Sequence, residues 1–248
     1  MASTLGKMRS SDGKESRFIC RGWEGHTPTV FCDWATALLE EEGFDVIAYD
    51  TFEPLLDVDI TASLDLIVPI WSSARSSHQD EFGNITREQE QGLLDAVAGG
   101  CGIAGWHGHM GDAFRDHPTY HFMIGGQFVA HPPGWPDNPI PSDDFVDYRV
   151  TFTKNDDPFM EGLEDFNIHG EQYYMLVDPS NDVLATTRFS GEHLHWIDGT
   201  VMPVAWRRRW DQGRVFYCSI GHTVDELKHP MVDTLMRKGF NWAARFSR

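Results

Sequence analysis

Cysteine is scarce in this chain: four among 248 residues, Cys20, Cys32, Cys101 and Cys218, far apart and without a CxxC pair. That spacing argues against a stapling disulfide framework or a compact thiolate metal motif, and the expectation is reduced, buried thiols. Long apolar runs are missing as well. No stretch of 18 apolar residues occurs, and the polar start MASTLGKMRSSDGKESR lacks the apolar segment of a secretory signal. The expected setting is therefore cytoplasmic, with no membrane partner. Basic residues are outnumbered, 20 Lys and Arg against 38 Asp and Glu, for a formal net charge of −18. Such a surface repels phosphate backbones, so nucleic acid is excluded as a partner and a small molecule is expected instead. Internal repeats are absent.

What is present suffices for one sizeable core: 41% of residues are hydrophobic. Residues 1–16 read as a disordered leader and 17–248 as a single domain. The segment RFICRGW (17–23) reads as a strand, followed by a helix with Thr27 as cap, Pro28 at its first position, Val30, Phe31, Trp34 and Leu38 on one face, and Gly43 at its end. FDVIAYD (44–50) and LDLIVPI (64–70) read as strands covered on both faces. Thr86 with Gln89 forms a capping box for a helix through Ala98, and GGCGIAGW returns as the fourth strand. This alternation predicts an α/β fold, a doubly wound and mostly parallel sheet with helices on both faces. HPPGWPDNPIPSDD reads as a surface loop. Further strands are expected at 148–153, 183–189, 201–210 and 214–220, the last two forming an added β-hairpin region around Asp211-Gln212-Gly213. A terminal helix over 224–245, bent at Pro230, packs Leu227, Leu235 and Trp242 on the sheet.

Ligands of open α/β sheets bind beyond the carboxyl ends of the strands. His26 in GWEGH, His107 in GWHGH and His222 in SIGH fall at such ends, and HGEQYY places His169 and Glu171 near a polar turn. His107, bracketed by glycines, has the setting of a nucleophile elbow with imidazole at its tip. His107, Glu171, His26 and His222 are the candidate catalytic residues, through acid–base chemistry. The same four are candidate ligands for a divalent metal such as zinc or manganese, iron and nickel fitting the donor set too. Trp23, Trp71 and Trp106 at strand ends, with His109, Asp112, His131 and Tyr173, are candidate substrate contacts, the rings through stacking on a sugar face. Trp196, Trp206 and Trp210 suggest a homo-oligomer contact, and Arg207-Arg208-Arg209 an edge or interface strand.

The motifs GWEGHTP, GGCGIAGWHGHMGDAF, GGQFVAHPPG, DPFMEGLEDFNIHGEQYY, DVLATT, PVAWRRRWDQGRVFYCSIGH and GFNWAAR, in this order from about Phe18 to Ala244, resemble the ThuA-like (trehalose-utilisation) family. Its fold is related to the class I glutamine amidotransferases. The resemblance implies a flavodoxin-like core and a role in carbohydrate catabolism, often beside oxidoreductases that make 3-keto-glycosides. The amidotransferase relatives need a cysteine thiolate at the elbow, where this chain has His107, so glutaminase activity is not expected. Two readings follow: an enzyme acting on a sugar or 3-keto-glycoside, and a non-catalytic carbohydrate-binding or regulatory module on the same scaffold. A subunit whose site needs a partner chain is a third.

Overall fold

The computed structural model describes residues 14–20 (backbone path only), 27–72, 84–134, 144–153 and 156–245. Its strands are β1 (Lys14–Cys20), β2 (Phe44–Tyr49), β3 (Leu66–Ile70), β4 (Gly102–Trp106), β5 (Gly126–Ala130), β6 (Phe145–Phe152), β7 (Phe166–Glu171), β8 (Tyr174–Val177), β9 (Asp182–Arg188), β10 (Val201–Trp210) and β11 (Gly213–Cys218). The helices are α1 (Pro28–Glu41), α2 (Val58–Ser63), α3 (Arg87–Ala98), α4 (His107–Gly111), α5 (Pro118–Ile124), α6 (Val224–Leu227) and α7 (Pro230–Ala243).

Nine strands form one sheet in the order β2-β1-β3-β4-β11-β10-β9-β6-β7, and β5 pairs with β8 in a separate ribbon. The first five are parallel in the flavodoxin-like order. The remaining four extend the sheet in antiparallel fashion. Two cores lie on opposite faces, as a doubly wound sheet requires. One joins Phe31 and Leu39 of α1 to Leu235 and Phe240 of α7 over Val68 and Phe216. The other packs Leu93 and Val97 of α3 with Met110 and Tyr120 over Ile103 and Tyr217.

Local chemistry explains the element ends. Thr86 accepts from the backbone of Gln89 while the Gln89 side chain accepts from the backbone N–H of Thr86, completing the expected capping box. Pro28 occupies the first turn of α1, but Thr27 sits in the left-handed region (φ 39°) and its side chain caps nothing. Val30 is 52% exposed, so the buried stripe of α1 is Pro28, Phe31, Ala35, Leu38 and Leu39 rather than Val30, Phe31, Trp34 and Leu38. β2 is an edge strand with only Phe44 fully enclosed, whereas β3 is buried at every position. β1 begins at Lys14, inside the expected leader, because Lys14 pairs in register with Phe44. Strand β7 occupies the segment read as a polar turn. The terminal helix is broken, not bent: α6 stops at Leu227 and α7 restarts at Pro230, whose ring fits a first turn but no interior. Most of the proline-rich stretch, residues 135–143, lies outside the described residues.

Three expectations are corrected by packing. Trp206 is fully buried, its indole N–H donating to Ile124 O at 2.9 Å, so it belongs to the core; Trp196 is exposed. β10 lies between β11 and β9, so the arginine run is on an interior strand, with Arg207 bridging Asp157 and Asp182 and Arg208 facing Asp178 and Asn181. Cys101 and Cys218 are free and buried, but Cys32, half-buried on α1, is disulfide-bonded. Among the described residues no helix is long and apolar enough to cross a membrane.

Candidate functional site

β4 ends at Trp106 in extended conformation and the chain turns abruptly at His107, which adopts φ 45°, a left-handed backbone rare for a non-glycine residue. Strain of this kind persists only where surroundings over-determine it. Here Tyr217 of β11 donates its hydroxyl to His107 O at 3.0 Å, and Gly111 leaves room for that ring: a Cβ there would collide with the hydroxyl. His107 is 1% exposed. Its ring meets two partners, Glu171 at the end of β7 and Tyr173 just beyond, with Nε2 3.0 Å from Glu171 Oε2 and Nδ1 3.0 Å from the Tyr173 hydroxyl.

Burial pushes the Tyr173 hydroxyl well above its usual range, so it keeps its proton and donates to Nδ1. His107 then carries its proton on Nε2 and donates to the carboxylate. Burial also brings the His107 pKa down to about 4 against the pull of Glu171, so the ring is neutral at ordinary pH. Burial of Glu171 would raise its pKa, but hydrogen bonds from His107 and His222 and the charges of His107 and His131 outweigh that and hold it far below the usual carboxylate range. Glu171 is thus an ionised carboxylate in an almost closed site.

The other oxygen of Glu171 faces two more rings. His222 Nδ1, four residues past β11, lies 3.0 Å from Oε1, and His131 Nε2, just past β5, lies 3.9 Å from the same atom. His131 in turn has Nδ1 3.4 Å from Asp144 Oδ2. The side chains of His222 and His131 are 24% and 21% exposed, so these rings, unlike His107, reach the surface. Burial would lower the His222 pKa, yet the Glu171 hydrogen bond and charge raise it above the ordinary histidine value. Phe145, paired across from Glu171, lies edge-on to His222 with ring centroids 5.3 Å apart.

Two predictions arise from this geometry. Tyr173→Phe removes the hydroxyl that donates to His107 Nδ1 across 3.0 Å in a buried setting; a loss of about 1 kcal/mol in chemical denaturation is expected. His107 also sets an acid limb. Its folded pKa lies below the unfolded value of about 6.5, so between pH 6.5 and about 4 the unfolded chain takes up a proton that the native ring refuses. Stability therefore falls with acidification through that window, by roughly 3 kcal/mol in full. The difference between wild type and His107→Gln in urea denaturation isolates this slope from that of Asp112, which runs the other way.

The structure brings together His107, Glu171, His222, His131 and Tyr173. His26 and Trp23 lie outside the described residues. Asp112 is buried beside the elbow and held bidentately by Arg115 at 2.5 and 2.8 Å, with burial raising its pKa to about 7. Three expected ligand contacts are corrected. Trp71 is 2% exposed and packs on Phe52 and Phe114. Trp106 is fully buried among Phe31, Trp34 and Phe240. His109, 1% exposed, lies edge-on to Phe31. The two indoles at the strand ends fall on faces covered by packed layers, and His109, within α4, is enclosed against Phe31 and Trp106. Sequence reading missed Asp144, Phe145 and Tyr217; Asp144 closes an acidic proline-rich segment and Tyr217 sits five residues before His222, the only signals they carried.

Comparison with known proteins agrees with this architecture. A ThuA-like protein from Bacteroides uniformis is similar in structure, with a TM-score of 0.69 at 16% identity over 98% of this chain and 95% of the other. One from Parabacteroides merdae gives 0.68 at 19% identity over 94% and 90%. A cytoplasmic protein from Salmonella typhimurium gives 0.59 at 15% identity over 94% and 100%. No curated protein sequence matches significantly. The family model described as ThuA, trehalose utilisation, matches residues 18–243, and the chain belongs to that family.

Proposed function

We propose that this chain is an enzyme of carbohydrate catabolism that acts on an oxidised, carbonyl-bearing glycoside by moving a proton beside the carbonyl. The observation that carries this reading is the convergence of three imidazoles on one ionised, nearly buried carboxylate at the carboxyl ends of the strands. His222 turns Nδ1 to Glu171, so Nε2 is the atom that takes a proton from the substrate carbon; Glu171 stabilises the imidazolium that forms. The electron pair left on carbon moves onto the carbonyl oxygen, and His131, on the other flank of Glu171, is placed to donate to it. His107 and Tyr173 act through Glu171 as positioning residues, since neither reaches the surface. Cys101 and Cys218 are enclosed, with burial pushing both thiols up to about 12, which supports a route without a thiolate and hence without glutamine hydrolysis. Incubating the protein with 3-keto-trehalose in D2O tests the reading: deuterium entering beside the carbonyl, lost in His222→Asn, is the expected result. Unchanged exchange against a protein-free control overturns it.

A second reading keeps the substrate class and adds a divalent metal. One donor atom each from His107, Glu171 and His222 lie within 4.8 Å of one another, and a neutral imidazole with an ionised carboxylate is the form such ions accept. These three residues would hold the ion, which would supply Lewis acidity at the substrate carbonyl.

A further inference from the structure

A second ligand set meets the first at Glu171. His131, Asp144 and Glu171 also offer donor atoms all within 4.8 Å of one another. Both sets draw on the one carboxylate: His107 faces Oε2, while His222 and His131 both lie on the side of Oε1. With bonds of 2.0–2.2 Å, neighbouring ligand atoms around a tetrahedral ion stand about 3.3 Å apart. The spacings here, 3.0 Å for His107 to Glu171, 3.0 Å for His222 to Glu171, 3.9 Å for His131 to Glu171 and 3.4 Å for His131 to Asp144, bracket that edge length. His131 supplies an independent sign. Its Nδ1 is buried and makes no hydrogen bond although Asp144 Oδ2 is 3.4 Å away, so the two atoms face each other without the alignment a shared proton requires.

We propose that the site is built for two divalent cations bridged by Glu171, one held by His107 and His222 and the other by His131 and Asp144. The inference rests on the metal-bearing reading and extends it to residues which that reading leaves unused. Three protein ligands per ion leave open positions on both, as in catalytic rather than structural sites. The donors are nitrogen and oxygen, without thiolate, which suits zinc or manganese.

The test loads the chelator-treated full chain with Zn2+ or Mn2+, removes excess ion, and counts bound metal by mass spectrometry. Two equivalents are expected for wild type and one for Asp144→Asn. With Mn2+, electron paramagnetic resonance should show a spin-coupled pair in wild type and an isolated six-line signal in that variant. Asp144 is partly exposed, so its replacement spares the core; equal melting temperatures without metal verify this. One equivalent in wild type overturns the second ion and leaves the single-ion reading standing. No bound metal overturns both. Two equivalents retained in Asp144→Asn place the second ion elsewhere and overturn the proposal.

Discussion

Glu171→Gln is expected to lower kcat/KM by about 10³-fold or more while the fold survives, because the substitution keeps shape and removes the one charge on which the site converges. The carboxylate accepts from His107 and His222 at 3.0 Å each through its two oxygens, whereas an amide accepts through one and donates through the other, so the His222 ring would be held with its proton on Nε2, the atom that must act as base. A second readout separates this from simple damage. In wild type the Glu171 charge lifts the His222 pKa above the ordinary value despite burial. In Glu171→Gln burial acts unopposed by that charge, so the midpoint of His222 in a proton NMR titration should move down. Retained turnover, or an unmoved His222 midpoint, would remove Glu171 from the centre of the chemistry.

Trp106→Ala is expected to cost about 3–5 kcal/mol of stability, read from urea denaturation with unchanged m-value. The ring is wholly enclosed and stacks edge-on with Trp34 and Phe240 at centroid distances of 5.1 and 6.3 Å. Were Trp106 a sugar platform, the effect would fall on ligand affinity and spare stability. A variant as stable as wild type would refute the core role. His107 follows directly in sequence, so some loss of activity is expected here also, but as a consequence of a loosened elbow.

The βαβ half of the fold was legible because its signals are local: Pro28 opening α1, the Thr86 and Gln89 box opening α3, the apolar run of β3. β7 was not, because its outward residues Asn167 and His169 are polar and Gly170 is small, so the segment reads as a turn; its strand character comes from pairing with β6. The elbow histidine, Glu171 and His222 could be picked out by their place after apolar segments and glycines. Which indoles face a ligand could not, since Trp71 and Trp106 look alike at strand ends and only the layers packed over them decide. Nor could Asp144, whose value depends on a ring thirteen positions earlier in the chain and a carboxylate twenty-seven later.

The strand that precedes His222 is the last of the described strands in chain order, and it does not join an edge. β11 slots between β4 and β10, in the interior of the sheet. Until it inserts, the hydroxyl of Tyr217 cannot hold the elbow and His222 has no carboxylate to meet. A chain in which β11 has not yet inserted therefore lacks both the Tyr217 hold on the elbow and the meeting of His222 with Glu171, which ties assembly of the His107–Glu171–His222 cluster to a long-range pairing step of folding.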